Sequence, residues 1–381
     1  MAERCLNRGK EAATQHSATL MASHTEKILI EALRRGDLKE FKSQLRSNPS
    51  IAGSSAVICE AGRAGSQKAF ELLARAGADL NASYRGYRPI HSLIQERPHG
   101  DRSLISEERS ACLRWMLENG ADPEHLGGWP SMRAILAAAF VGEPAYVAVL
   151  RNAGAVIDGF VAAALGDIKR VRRELQKDGD FATARDSGGL TALHCVAGSR
   201  MGKNTRTREA LMEIARLLLD AGADPRATVR SWSHDVDVIY FAASPSKREL
   251  FELLLERGAD PASAFCSAIW QTHTELADIA MRRGANPDRI RDEGRPVLNQ
   301  MVRWGQIKQA LWLLEKGASP NISDERGWTA VHQAASRGNE RLLKVLLESG
   351  GDTRKKDKEG KTPVDIARTR NRPALVALLS S

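Results

Sequence analysis

The chain lacks the marks of several protein classes. No run of about 18 apolar residues occurs, the minimum for a membrane-crossing helix. The first 25 residues, MAERCLNRGKEAATQHSATLMASHT, have no apolar core of the kind a secretory signal carries. They read as a flexible leader, in which a signal for specialised secretion machinery would be invisible to composition. The five cysteines, Cys5, Cys59, Cys112, Cys195 and Cys266, are odd in number, widely separated and without a CxxC pair. That excludes a disulfide framework and fits a reducing compartment, the cytosol of the producing cell or of a host. No GxGxxG after a strand, no GxxxxGK[ST], no HExxH and no EF-hand pattern is present. Aromatic residues are only 5%, so the core must be built from small and aliphatic side chains. What is present suffices for that: 42% of 381 residues are hydrophobic. The formal charge of +9 permits an acidic partner, but spread over this length it is chiefly solvated surface.

One unit recurs. An apolar run ends in Gly-Ala-Asp or a near variant, as in ELLARAGAD (71–79), LLLDAGAD (217–224) and LLLERGAD (253–260). The paired leucines lie on one helix face, the glycine supplies the left-handed residue that ends the helix, and Ala-Asp turns the chain onward. The glycines of this signal fall at Gly77, Gly120, Gly154, Gly179 (degenerate), Gly222, Gly258, Gly284, Gly317 and Gly350. Upstream of some of them stands a second signal: TALH (191–194), TAVH (329–332), RPIH (88–91) and TPVD (362–365). Threonine caps a helix N-terminus and proline suits its first turn.

Together these signals resemble the ankyrin-repeat family over roughly residues 26–381. The resemblance implies an all-α solenoid of stacked helix-turn-helix units with projecting β-hairpin fingers. Fingers and first helices would form a concave binding face. It predicts a leader at 1–25, about ten units over 26–353, and a polar capping unit at 354–381.

The spacing departs from the family's period of about 33 residues. Successive glycines are 43, 34, 25, 43, 36, 26, 33 and 33 residues apart, which reads as a duplicated three-unit block, 77–179 and 179–284. Two long units carry insertions near 96–107 and 199–207. The short units ending at Gly179 and Gly284 have no room for a finger, so the face is expected to be notched there.

Candidates for chemistry are few. His91, His194 and His332 recur at one repeat position, which marks them as structural bridges rather than ligands or bases. His194 and Cys195 are adjacent on a helix and point about 100° apart, so they form no dyad; Cys59, Cys195 and Cys266 read as small core residues. No catalytic, metal or cofactor residue is assigned, and no cofactor is expected. Arg200, Lys203, Arg206 and Arg208, and in the tail Arg354, Lys355, Lys356, Lys358 and Lys361, read as solvated loop and cap, with nucleic-acid binding as the rival.

The tryptophans say more. Trp115 and Trp312 share the register of Leu72 and Leu217 and are expected in the core. Trp328, between Gly327 and Thr329, falls on an exposed finger position of the family pattern. The residues just before the inter-helix glycines place Trp270, Trp304 and Arg337 in one row, with Arg303, Arg326 and Trp328 beside it. Tryptophan and arginine are the residues enriched in interface hot spots. The row is therefore either a partner-binding patch, inward packing of Trp270 and Trp304 in irregular units, or a small-molecule site. Trp129, Trp232, Tyr84 and Tyr87 are lesser candidates. The reading is a monomeric, non-catalytic scaffold that holds a partner protein, as regulator, immunity protein or host-directed effector. A nucleic-acid-associated protein and an enzyme with its site in the insertions are the alternatives.

Overall fold

The structure, a computed structural model, describes residues 24–95, 102–231, 234–289 and 294–380. Residues 1–23 of the expected leader, 96–101 of the first insertion and Trp232 lie outside the described residues. The chain divides into two compact units, Met1–Val236 and Asp237–Ser381.

The first unit holds six helix-turn-helix pairs: α1 (His24–Arg35) with α2 (Leu38–Ser47), α3 (Ser55–Ala64) with α4 (Gln67–Arg75), α5 (Pro89–Gln95) with α6 (Arg102–Glu118), α7 (Ala134–Val141) with α8 (Pro144–Asn152), α9 (Gly159–Leu165) with α10 (Ile168–Lys177), and α11 (Ala192–Gly198) with α12 (Thr205–Asp220). A hairpin of β1 (Thr228–Ser231) and β2 (His234–Asp237) follows. The second unit holds five pairs: α13 (Val238–Ala242) with α14 (Arg248–Glu256), α15 (Pro261–Trp270) with α16 (Thr274–Arg282), α17 (Val297–Trp304) with α18 (Ile307–Glu315), α19 (Ala330–Arg337) with α20 (Glu340–Glu348), and α21 (Pro363–Thr369) with α22 (Pro373–Ser380). Each unit is thus an all-α solenoid segment, as the repeat signals predict. The first described helix starts at His24, two residues inside the expected leader.

The two helices of a pair differ in burial. In the interior pairs the first helix is the more buried; in α7 every residue from Ala134 to Ala139 is buried. The second is amphipathic, as α20 is, with Leu342, Leu343 and Leu346 buried and Glu340 and Lys344 exposed. First helices stack on first helices, α3 on α5, α9 on α11 and α19 on α21. The turn between the two is closed by a left-handed residue, Gly142 (φ 76°) after α7 and Gly305 (φ 72°) after α17.

The recurring histidines lock one repeat to the next. The Nδ1 of His194 accepts from the Thr191 backbone N–H at 3.2 Å and lies 2.8 Å from the Thr191 hydroxyl; His332 does the same with Thr329. The far nitrogen reaches the following finger: His91 Nε2 donates to Met132 O at 2.8 Å and His332 Nε2 to Lys361 O at 3.3 Å. Burial pushes His91 down to about 4 and His194 to about 3, so both rings are neutral in the fold.

The notch expected at Gly179 is closed. The pair α9–α10 has no finger, yet its neighbours meet across it. A Cβ at Gly188, in the finger before α11, would strike the backbone carbonyl of Ser131, in the finger before α7. The insertion after α11 lies over the end of α9: Ser199 Oγ donates to Ala164 O at 2.6 Å, and Arg200 N donates to Ala139 O at 2.9 Å. The extra residues of the long repeat therefore fill the space that the short one leaves.

Candidate functional site

In the second unit the short pair α15–α16 is followed by a repeat without an insertion. Its first helix ends with Trp270, Gln271 and then Thr272, which takes the left-handed conformation (φ 66°) that glycine holds elsewhere. That moves the register. Thr272 N bonds Ile269 O as Gly305 N bonds Val302 O, so Trp270 corresponds to Arg303 and Gln271 to Trp304. Trp270, Trp304 and Arg337 are consequently not one straight row. The turn after α15 begins one residue later than a count from its neighbours' glycines implies.

Trp270 and Trp304 nevertheless meet, on a diagonal. Their ring centroids are 4.2 Å apart and their planes 89° apart. They remain 39% and 38% exposed, which argues against the reading of both as inward packing. Within the second unit α15 and α17 approach less closely than the other neighbouring first helices; the Trp pair spans their gap, and Phe265 of α15 faces Trp312 of α18 at 6.4 Å. The position equivalent to Trp270 in the first unit is Ala164, wholly buried under Ser199 of the insertion. One register is thus covered by a loop in one repeat and occupied by an exposed indole in another.

The finger before α19 brings in the next residues. Asp324 is its keystone: Oδ1 accepts the backbone N–H groups of Arg326 and Trp328 at 2.9 Å each. Oδ2 accepts from Arg326 Nη2 at 3.1 Å and from Gln333 Nε2 at 3.5 Å. Asn299 of α17 ties the finger down by donating to Trp328 O at 2.7 Å. The Arg326 guanidinium lies 4.4 Å from the centre of the Trp328 ring, a cation–π contact. Trp328 is more enclosed than its finger position implied. It is half-buried, stacks on His332 with centroids 6.2 Å apart, and donates its indole N–H to Asp357 Oδ2 at 3.0 Å. Its N–H is therefore engaged within the fold.

Arg303 is half-buried and Arg337 is exposed; neither makes an ion pair among the described residues. Burial, then repulsion from Arg295, Arg326 and Arg337, pulls Arg303 below the ordinary guanidinium range, and Asp324 opposes this only in part. Arg372 adds a fifth guanidinium, packed against Gly338 beside Arg337.

The other candidates are less available. Trp115 and Trp312 are half-buried rather than core; they lean on Phe70 and Phe265, and the fully buried position is the next one, as Leu313 illustrates. Trp129 packs on Gly86 and donates to Arg85 O at 3.2 Å. Tyr84 and Tyr87 form the bridge of their own finger. In the tail, Lys355 donates to Asn321 O at 2.7 Å and Lys361 pairs with Glu359 at 2.8 Å. Burial pushes the Cys59 thiol up to about 11 and Cys112 to about 12, so these thiols stay protonated. No group of metal-binding side chains and no helix long and apolar enough to cross a membrane occurs among the described residues.

A stack of helix-turn-helix units defines a helical repeat protein. The chain carries ankyrin repeats: residues 298–381 match the model of ankyrin repeats in three copies, and residues 188–229 match the ankyrin repeat model. No curated protein matches the chain. Ankyrin repeats generally mediate protein–protein interactions.

Proposed function

We propose that this chain is a non-catalytic scaffold that holds a partner protein on the finger-and-first-helix face of its second unit. Trp270 and Trp304 are the apolar anchors, and Arg303, Arg326 and Arg337 are the polar ones. The exposed edge-to-face indole pair beside Arg303 and Arg337 carries this reading. Covering both rings removes roughly 150–200 Å² of apolar surface, worth about 4–5 kcal/mol before the entropy of association is subtracted. Buried neutral histidines and protonated thiols support a binding role over an enzymatic one. Trp328 is the support beneath Arg326 rather than an anchor in its own right.

The test is capture from native lysate by the intact chain and by a Trp304→Ala/Arg337→Glu variant, both checked for helicity by circular dichroism. A protein held by the first and released by the second is the expected result. A partner retained equally by both shifts the site to the insertions. Recovery of nucleic acid alone, stripped by moderate salt, replaces this reading with nucleic-acid binding.

A further inference from the structure

The indole pair sits beside a concentration of positive charge. Arg295, Arg326 and Arg337 each lie close enough to act on Arg303. Asp324 is the carboxylate set among them, and its oxygens are already occupied by two backbone N–H groups, by Arg326 and by Gln333. Its side chain is 1% exposed, so it has little left to offer the solvent face. Glu325 lies against Gly294, next to Arg295, so it offsets the charge at that edge of the group and leaves Arg303 and Arg337 as the guanidinium groups open to a partner.

A complement to this surface must bring anionic groups for Arg303 and Arg337 and an apolar group for the indoles. A planar guanidinium takes a carboxylate through two parallel hydrogen bonds, which fixes direction as well as charge. Arg326 is pre-set for such a contact, because Asp324 holds it and it lies on the Trp328 ring, so it loses little freedom on binding. Phosphates of a single strand would also suit the charge, but base binding needs open indole faces. Here Trp270 and Trp304 are turned edge to face, and Trp328 already carries Arg326 and His332.

We propose that the partner presents an acidic segment to this face, with Asp or Glu side chains flanking an apolar residue that covers Trp270 and Trp304. The inference rests on the reading of this face as the partner surface.

The test is selection of a random peptide display library on the full chain, on an Arg303→Glu/Arg337→Glu variant, on an Arg337→Glu variant and on a Trp270→Ala/Trp304→Ala variant. The full chain is expected to enrich peptides with acidic residues around Leu, Phe or Trp. A selected peptide is expected to lose about tenfold in affinity to Arg337→Glu, an exposed substitution that leaves the core untouched. Enrichment on the double charge reversal is expected to shift toward Lys and Arg. Peptides that need the tryptophans but carry no acidic excess overturn the acidic partner and leave the face standing. Peptides indifferent to the tryptophans, or no enrichment at all, overturn the face and the inference together. Mixed-sequence single-stranded DNA that displaces a selected peptide at lower concentration than poly-glutamate does also overturns the inference.

Discussion

The indole rings of Trp270 and Trp304 meet edge to face at 4.2 Å across two successive repeats, although the two residues do not share a repeat register. The contact joins helices whose backbones stand apart, so each ring relies on the other. Trp270→Ala and Trp304→Ala should each lower the stability of the second unit by about 1–2 kcal/mol. The double substitution should cost less than the sum of the two, by about 1 kcal/mol. A double-mutant cycle from urea unfolding measures the coupling, and strict additivity would mean that the rings do not support each other.

The histidine bridges make stability depend on pH. His91 and His194 are neutral in the fold, and the unfolded chain takes up their protons below the ordinary 6.5. Their contribution is complete above 6.5 and falls as the pH drops, down to about 4 for His91 and about 3 for His194. Between pH 7 and pH 5 the first unit should lose about 3–4 kcal/mol in urea unfolding. His91→Gln/His194→Gln, though less stable at pH 7, should flatten that dependence. An unchanged slope in the variant refutes the bridges as its source.

Thr272 is a β-branched residue at φ 66°. Such a residue is strained in the left-handed region, where glycine is not. Thr272→Gly should raise stability by about 1 kcal/mol, after the extra freedom of an unfolded glycine is counted. A lower melting temperature would mean that the threonine side chain makes a compensating contact.

Gly188→Ala tests whether fingers meet over the short repeat. The new methyl would lie on the Ser131 carbonyl, and the finger must move. A loss of about 2 kcal/mol is expected in urea unfolding. A silent Gly188→Ala would show that the fingers are separable.

The helix ends were legible because glycine and threonine act locally. Gly222 and Gly258 mark the ends of helices, and Thr191 and Thr329 cap their starts, whatever the rest of the chain does. The histidine role was legible from recurrence alone. The register of Trp270 was not, because it depends on a threonine in a conformation that the residue type disfavours. The filled notch was not legible either: that Arg200 reaches Ala139 across the short repeat depends on how far apart three repeats lie, a distance that no spacing in the sequence encodes. The enclosure of Trp328 needed Asp357, 29 residues on, to be seen as the partner of its N–H.

The wide step between α15 and α17 also has a mechanical meaning. In the rest of the second unit neighbouring first helices pack directly on one another, whereas here tension passes chiefly through rings, Trp270 against Trp304 and, from α15 to α18, Phe265 against Trp312. Stretched in an optical trap, the second unit should yield at this step first, and a ligand spanning the two indoles should raise the force at which it parts; yielding at α19–α21 instead would show that ring contacts bear load as well as close-packed helices do.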